Sequence, residues 1–286
     1  MQQIRYMISS SATAITIQEA GLLDLVAGGY REDHNFSIST CSNTGVKITS
    51  HAVKHGRFST QDVAAQYHYK DATINVKADL ESKSPISATL TLSRKFLPSL
   101  NTTASLKLPN YNSSTLRAQY FPKHAGLAMS VSLYHTSKIQ LSASVGTSSF
   151  AFGIQTEYNI TSKQFREFDA GISMTKPNHE ASITMGNKGD FLRASYIHYF
   201  DRKKKVAAAA VISRRFSKKE NTLIVGGSWI MDNLTTVKAR FDYHGKMKML
   251  LQHKIKPKSR LTVSSEFDTK AINKIPGIGL TLSLVL

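Results

Sequence analysis

From about Asn35 to Leu286 the chain is a succession of short segments in which apolar and polar residues alternate one by one. The run Leu234 to Phe241 is the clearest, with Thr235, Val237, Ala239 and Phe241 on one face and Thr236, Lys238 and Arg240 on the other. Successive side chains of a strand point to opposite sides, so each segment is a ribbon with a greasy face and a wet face. A soluble sandwich also alternates, but it hides the greasy faces between two sheets. Here the wet faces carry Lys, Arg, Ser and Thr repeatedly, and no helical pattern is at hand to cover the apolar side. The arrangement that suits such ribbons is an all-β membrane protein: one closed transmembrane barrel with hydrocarbon outside and water inside.

The segments number about nineteen at a spacing of about 13 residues, which is ~10 residues per crossing plus a short turn. Turn chemistry occupies the gaps, as at Asn43-Thr44-Gly45, Lys176-Pro177-Asn178 and His244-Gly245. The stretch Gly186-Asn187-Lys188-Gly189 is expected to be a hairpin turn and not a phosphate loop, because strands flank it. Segment 72–80 sets Ile74, Val76, Ala78 and Leu80 against Asn75, Lys77 and Asp79, and the last segment sets Ile278, Leu280, Leu282 and Leu284 against Gly279, Thr281 and Ser283. Neither apolar face bears a charge, and a mid-bilayer Lys or Arg there would cost about 2–4 kcal/mol. Segment 205–213 breaks the rule, with alanine and valine on both faces. Residues 34–286 are therefore expected to form the barrel. Residues 1–33 stand apart as an N-terminal segment whose short helix ends at Gly28-Gly29 and packs against the barrel wall.

The chain carries 37 Lys and Arg against 19 Asp and Glu, a net charge of +18. Such a balance attracts polyanions. A nucleic-acid binder would gather its cations on one element with aromatic residues between them. These cations are spread one or two to a segment, mostly in the polar register, so nucleic acid is not expected as the primary partner. Mean hydropathy is only −0.23, yet half of every spanning strand faces water, so this value does not argue against a membrane. No stretch approaches the ~18–20 apolar residues that a spanning helix requires. The one cysteine, Cys41, excludes an internal disulfide framework and a cysteine-cluster metal site. Ten histidines are scattered without chelating or deaminase spacing. No Walker loop, paired-glycine fingerprint or nucleophile elbow occurs. No catalytic, cofactor or metal site is expected, and the chain does not look like an enzyme.

Several stretches resemble the mitochondrial voltage-dependent anion channel family, particularly its plant branch. They are Asn35 to Thr40 with Ser42 to Val46, Ala118 to Phe121 with Ala125-Gly126, Lys218 to Asn221, Leu234 to Arg240, Leu251 to His253, Pro257 to Ser259, and Asp268 to Ile272. They keep the family's order and spacing from about residue 20 to the C-terminus. The resemblance implies nineteen strands with a helix inside the pore. Nineteen is already known for that family, so the segment count agrees with it and is no independent result. An odd number requires the first and last strands, near 34–41 and 276–286, to pair in parallel.

The function implied is a voltage-gated pore of the mitochondrial outer membrane that lets small anions and phosphorylated metabolites diffuse passively, with weak anion preference. Its partners would be membrane lipid and those solutes, with homo-oligomers left open and no cofactor. The register puts Lys47, Lys77, Lys107, Arg117, Arg193, Lys238, Arg240, Lys246, Lys248 and Arg260 on the wet side, as pore-lining cations. Fixed cations in a low-dielectric shell lower the entry energy of anions. The family's C-terminal insertion signal, polar-x-Gly-x-x-apolar-x-apolar, is matched by Gly279, Leu282 and Leu284, with Gly277 at its polar position. The family's pore helix carries basic residues, whereas Glu19 to Val26 has none. Two rivals remain: the protein-import pore of the same barrel superfamily, which would carry acidic patches, and a soluble basic β-protein that binds nucleic acid.

Overall fold

Among the described residues nineteen strands follow one another along the chain. They are β1 (His34–Cys41), β2 (Val46–His55), β3 (Phe58–Tyr69), β4 (Ala72–Asp79), β5 (Ile86–Ser93), β6 (Leu100–Leu108) and β7 (Thr115–Tyr120). Next come β8 (Ala125–Ser132), β9 (Lys138–Gly146), β10 (Phe150–Asn159), β11 (Gln164–Thr175), β12 (His179–Gly186) and β13 (Phe191–Tyr199). The last six are β14 (Val206–Arg215), β15 (Glu220–Ile230), β16 (Thr235–Asp242), β17 (Lys246–Lys256), β18 (Ser259–Asp268) and β19 (Gly277–Val285). The computed structural model describes residues 25–26, 28–30, 33–56, 58–70, 72–79, 86–93, 100–108, 114–122, 124–132, 138–256, 259–271 and 276–286, with backbone alone for His55, Phe58, Ser93, Lys107 and Lys256. Of the expected N-terminal helix, Leu25 and Val26 are helical and Gly28-Gly29 is a turn; the rest lies outside the described residues.

Each strand pairs antiparallel with the next, and β1 closes the ring by pairing in parallel with β19. The closing register runs from His34 opposite Leu280 to Ser39 opposite Val285. It is reinforced inside by the Ser37 hydroxyl on Ser283 at 2.8 Å and beyond the strand by the Leu286 N–H on the Ser39 carbonyl at 2.9 Å. One sheet closed on itself leaves no second layer, so the sandwich alternative has no counterpart in the fold. The rule that a lipid-facing backbone must satisfy its own polar groups is met by the closure.

The period-2 register holds around the ring. Outward positions include Leu90, Leu141, Ile154, Ile172, Ile183 and Val225, all exposed. Aromatic side chains mark both rims of this band. Tyr69, Tyr120, Phe150, Phe200 and Trp229 stand at the rim where β1 ends, and Phe165, Phe168, Phe241, Tyr243 and Phe267 at the rim where it begins. That is the placement of amphipathic rings at a membrane boundary. Inward positions are hydroxyl-rich and paired across strands, as Ser39 with Thr49 at 3.0 Å and Ser105 with Thr115 at 2.8 Å. Breaks in register fall near strand ends, where β-bulges re-aim a strand: at Glu157/Tyr158 and at Lys254/Lys256.

Short turns join the strands. At Asn187–Gly189 the expected hairpin turn is a 3-10 turn in which Asn187 and Lys188 both take positive φ, 51° and 57°. It is stitched to the neighbouring turn, because Asp190 accepts from the Ser217 hydroxyl at 2.7 Å and its N–H at 2.6 Å. Those two bonds hold the Asp190 carboxyl below the usual carboxylate range, the hydroxyl contributing most.

The two faces should differ sharply in what they tolerate. Ile183→Lys, at an outward mid-strand position of β12, should lower unfolding stability in liposomes by about 2–4 kcal/mol. Thr184→Lys, one residue on and facing inward, should change it by less than about 1 kcal/mol. Urea titration of the refolded variants in vesicles measures both.

Candidate functional site

The inner wall is the surface on which a solute would act. It is built by parity: every second residue of every strand faces the same enclosed space. Backbone pairing puts Lys47 on that face beside Gln66, Lys77 beside Ala64, Lys107 beside Ser87, and Arg117 between Thr103 and Ser130. Arg193 pairs with Thr184 and Ser213. Lys238 pairs with Ser228 and Leu250, Arg240 with Gly226 and Lys248, Lys246 with Asp268, and Arg260 with Lys254 and Ser283. All ten cations singled out from the sequence therefore share one face, with Lys107 assigned from its backbone alone. Of the C-terminal triplet, Gly279 is buried on the inner face opposite Ser264, while Leu282 and Leu284 point outward.

Not all of these cations stand alone in water. Lys77 contacts Asp62, and Lys248 contacts Glu266, whose other oxygen lies 3.3 Å from Lys246. Lys138 and Lys204 add pairs with Glu157 at 2.7 Å and Glu180 at 3.3 Å. With its carboxamide oxygen turned toward the guanidinium, Gln252 receives Arg260 Nε at 2.6 Å and Nη1 at 2.9 Å. Asp62, Glu157, Glu180 and Glu266 on the wall were missed as partners, although the same parity that located the lysines locates them. Pairing shortens the reach of each local field but leaves the summed charge of the wall unchanged.

On one side the wall is greasy. Ile197 of β13, Ala207, Ala209 and Val211 of β14 and Leu250 of β17 are all at most 4% exposed, although they face inward. The reason is the N-terminal segment. Leu25 and Val26, at 5% and 4% exposed, lie on this patch together with Ile224. The alanines and valines that blurred the alternation in segment 205–213 make that floor. Gly226 leaves room: a Cβ there would sit 3.4 Å from Leu25 Cδ2 and 3.2 Å from the Ala239 carbonyl. Gly29 has φ +85°, and a Cβ on it would meet Leu250 Cδ1 at 2.7 Å, so both conformation and contact demand glycine.

Arg240 fastens the segment. Its Nη1 donates to the Val26 carbonyl at 2.9 Å, and its guanidinium lies 5.6 Å from the Tyr30 ring centroid. Lys238, one inward position away, is only 8% exposed. Both cations share the inward face, and Arg240 there holds the docked segment. Among the described residues no three His, Cys, Asp or Glu gather in a metal-binding group. The wall can hold water, bias ions and anchor the N-terminal segment at Val26.

A model of the eukaryotic porin family matches residues 19–279. The chain is 46% identical to mitochondrial outer membrane protein porin 2 of Arabidopsis thaliana, over 91% of this chain and 94% of the relative. It is 41% identical to mitochondrial outer membrane protein porin 5 of Oryza sativa subsp. japonica, over 91% and 93%. The outer plastidial membrane protein porin of Pisum sativum is 38% identical over 91% and 94%.

A hydrogen bond from a charged donor contributes about 1.5–3 kcal/mol when its partner is sheltered. Arg240→Ala should therefore raise hydrogen exchange of the Val26 and Tyr30 amides by about tenfold or more, while the exchange of β13 amides stays the same. Exchange mass spectrometry on the micelle-bound barrel reads this directly.

Proposed function

This chain belongs to the eukaryotic porin family, and from that premise we propose how its inner wall sorts what passes. The protein is a pore of the mitochondrial outer membrane through which small solutes diffuse, and it is not an enzyme. Voltage gating and anion preference are general features of the family. In this chain we assign the preference to the inward cations Lys47, Lys77, Lys107, Arg117, Arg193, Lys238, Arg240, Lys246, Lys248 and Arg260.

The observation that carries the assignment is the division of one closed sheet into an apolar outside and a cationic, hydroxyl-rich inside. A ring of nineteen strands is wider than side chains can fill, so its interior holds water. A solute in it passes a net positive wall without meeting a narrow filter. Chloride and phosphorylated or carboxylated metabolites gain from that potential, and cations lose by a similar amount. The bias is weak because the lumen is wet and charges beyond a Debye length of ~10 Å are screened. Membrane lipid wets the outer band. Gating is assigned to the segment docked at Arg240: the stretch Glu19 to Val26 has no basic residue, so the field acts on its carboxylates Glu19 and Asp24 and on the cations of the wall.

Lys47 and Arg117, on β2 and β7, lie on other strands than the patch that holds Leu25 and Val26. Reversing both to Glu should roughly halve the anion-to-cation permeability ratio. Planar-bilayer recordings under a potassium chloride gradient report it as a reversal potential moved toward the cation side. A potential identical to that of the parent pore would sink the assignment.

A further inference from the structure

Two histidines that are 19 positions apart in sequence meet on the outer face, at the rim where β1 ends. His179 opens β12 and is the register partner of His198 near the end of β13. Their Nδ1 atoms are 2.9 Å apart. The Tyr196 hydroxyl lies 3.1 Å from the same His179 nitrogen. Phe200 packs edge-on against the His198 ring, at 4.6 Å and 83°, which limits how that ring can turn away.

An imidazole nitrogen carries either one lone pair or one proton. His179 Nδ1 therefore cannot make two full hydrogen bonds, one to the His198 nitrogen and one to the Tyr196 hydroxyl. Two nitrogens and a hydroxyl converge where protons alone leave one contact unsatisfied, and a coordinated cation would satisfy them. We propose that His179 and His198 chelate a divalent transition-metal ion through their Nδ1 atoms, copper(II) before any other. With metal–nitrogen bonds of about 2.0 Å, a 2.9 Å bite subtends about 90°. That is the angle of a square-planar or tetragonal centre, which copper(II) and nickel(II) prefer. A tetrahedral zinc ion needs its two nitrogens about 3.3 Å apart, so the pair would have to open. Imidazole donors also disfavour calcium and magnesium, which take oxygen. Water at the rim fills the remaining positions, and the Tyr196 hydroxyl, released by the metal-bound His179 nitrogen, hydrogen-bonds to one of those waters. The ion ties β12 to β13 from outside and does not touch the inner wall, so this site is independent of conduction.

The test is titration of the tag-free, refolded full chain in detergent micelles with copper(II) chloride. Electron paramagnetic resonance counts the coordinated nitrogens. The one tryptophan, Trp229, faces outward on β15, two strands from β13 or about 10 Å sideways, and its fluorescence reports binding by quenching. One saturable ion with a two-nitrogen signature is expected. His179→Ala and His198→Ala should each weaken binding at least tenfold, while His253→Ala, at another outward position, should bind as the parent does. Unchanged affinity in either of the first two variants overturns the proposal. Should those variants fail to fold, a parent protein showing one coordinated nitrogen or none overturns it equally.

Discussion

Every N–H and C=O that lies in hydrocarbon must find its partner within the protein, since each one left bare costs several kcal/mol. For strands the only complete solution is a ring. The parallel seam between β1 and β19 is therefore the contact on which everything else depends. Without it, two edges would face lipid. An odd number of antiparallel neighbours leaves no other way to close, and the seam is made from ordinary parts: a six-residue parallel register, a Ser37–Ser283 hydroxyl bond and the C-terminal N–H on Ser39.

Closure gives the two faces unequal physical meaning. Outward residues lose nothing by being apolar, because their solvent is apolar, so the many large hydrophobics left exposed by the fold need no partner layer. Inward residues face water in a space wider than side chains can fill, so hydroxyls, amides and ions can line it without the desolvation cost of a true interior. The exception is the patch of Ile197, Ala207, Ala209 and Val211, where water is displaced by Leu25 and Val26, with Leu250 buried beside Gly29. Among the described residues the barrel thus contains a small dry interface on its inner wall. Arg240 works at its edge, satisfying a carbonyl that the docked segment would otherwise expose.

The charges of the wall act at two ranges. At contact distance Lys77, Lys246 and Lys248 are tied to Asp62 and Glu266, which fixes their positions more than it stabilises the barrel. At longer range only the sum matters, and the sum is positive. A pore whose preference rests on a sum is insensitive to most single substitutions, which suits a passive conduit.

Much of this was legible in the chain. Period-2 alternation located the strands within a few residues: β1 fills 34–41, and β4, β14 and β19 lie within two residues of segments 72–80, 205–213 and 276–286. Parity alone assigned the face of Lys238 or Leu280, because in a strand the side of a residue follows from counting. Counting could not find what lies across the lumen or across the sheet. That Arg240 reaches Val26, 214 positions away, depends on the radius and curvature of the ring. Leu250 is apolar on an inward face because Gly29 of the docked segment lies against it. His179 and His198 have no chelating spacing in sequence and become neighbours only through the turn and register joining β12 to β13. Local alternation and composition are enough to fix the strands, their two faces and the sign of the wall. Tertiary structure alone decided where the ring closes, which inner residues are dry and which distant side chains meet, because those depend on pairing register and on curvature that no local pattern encodes.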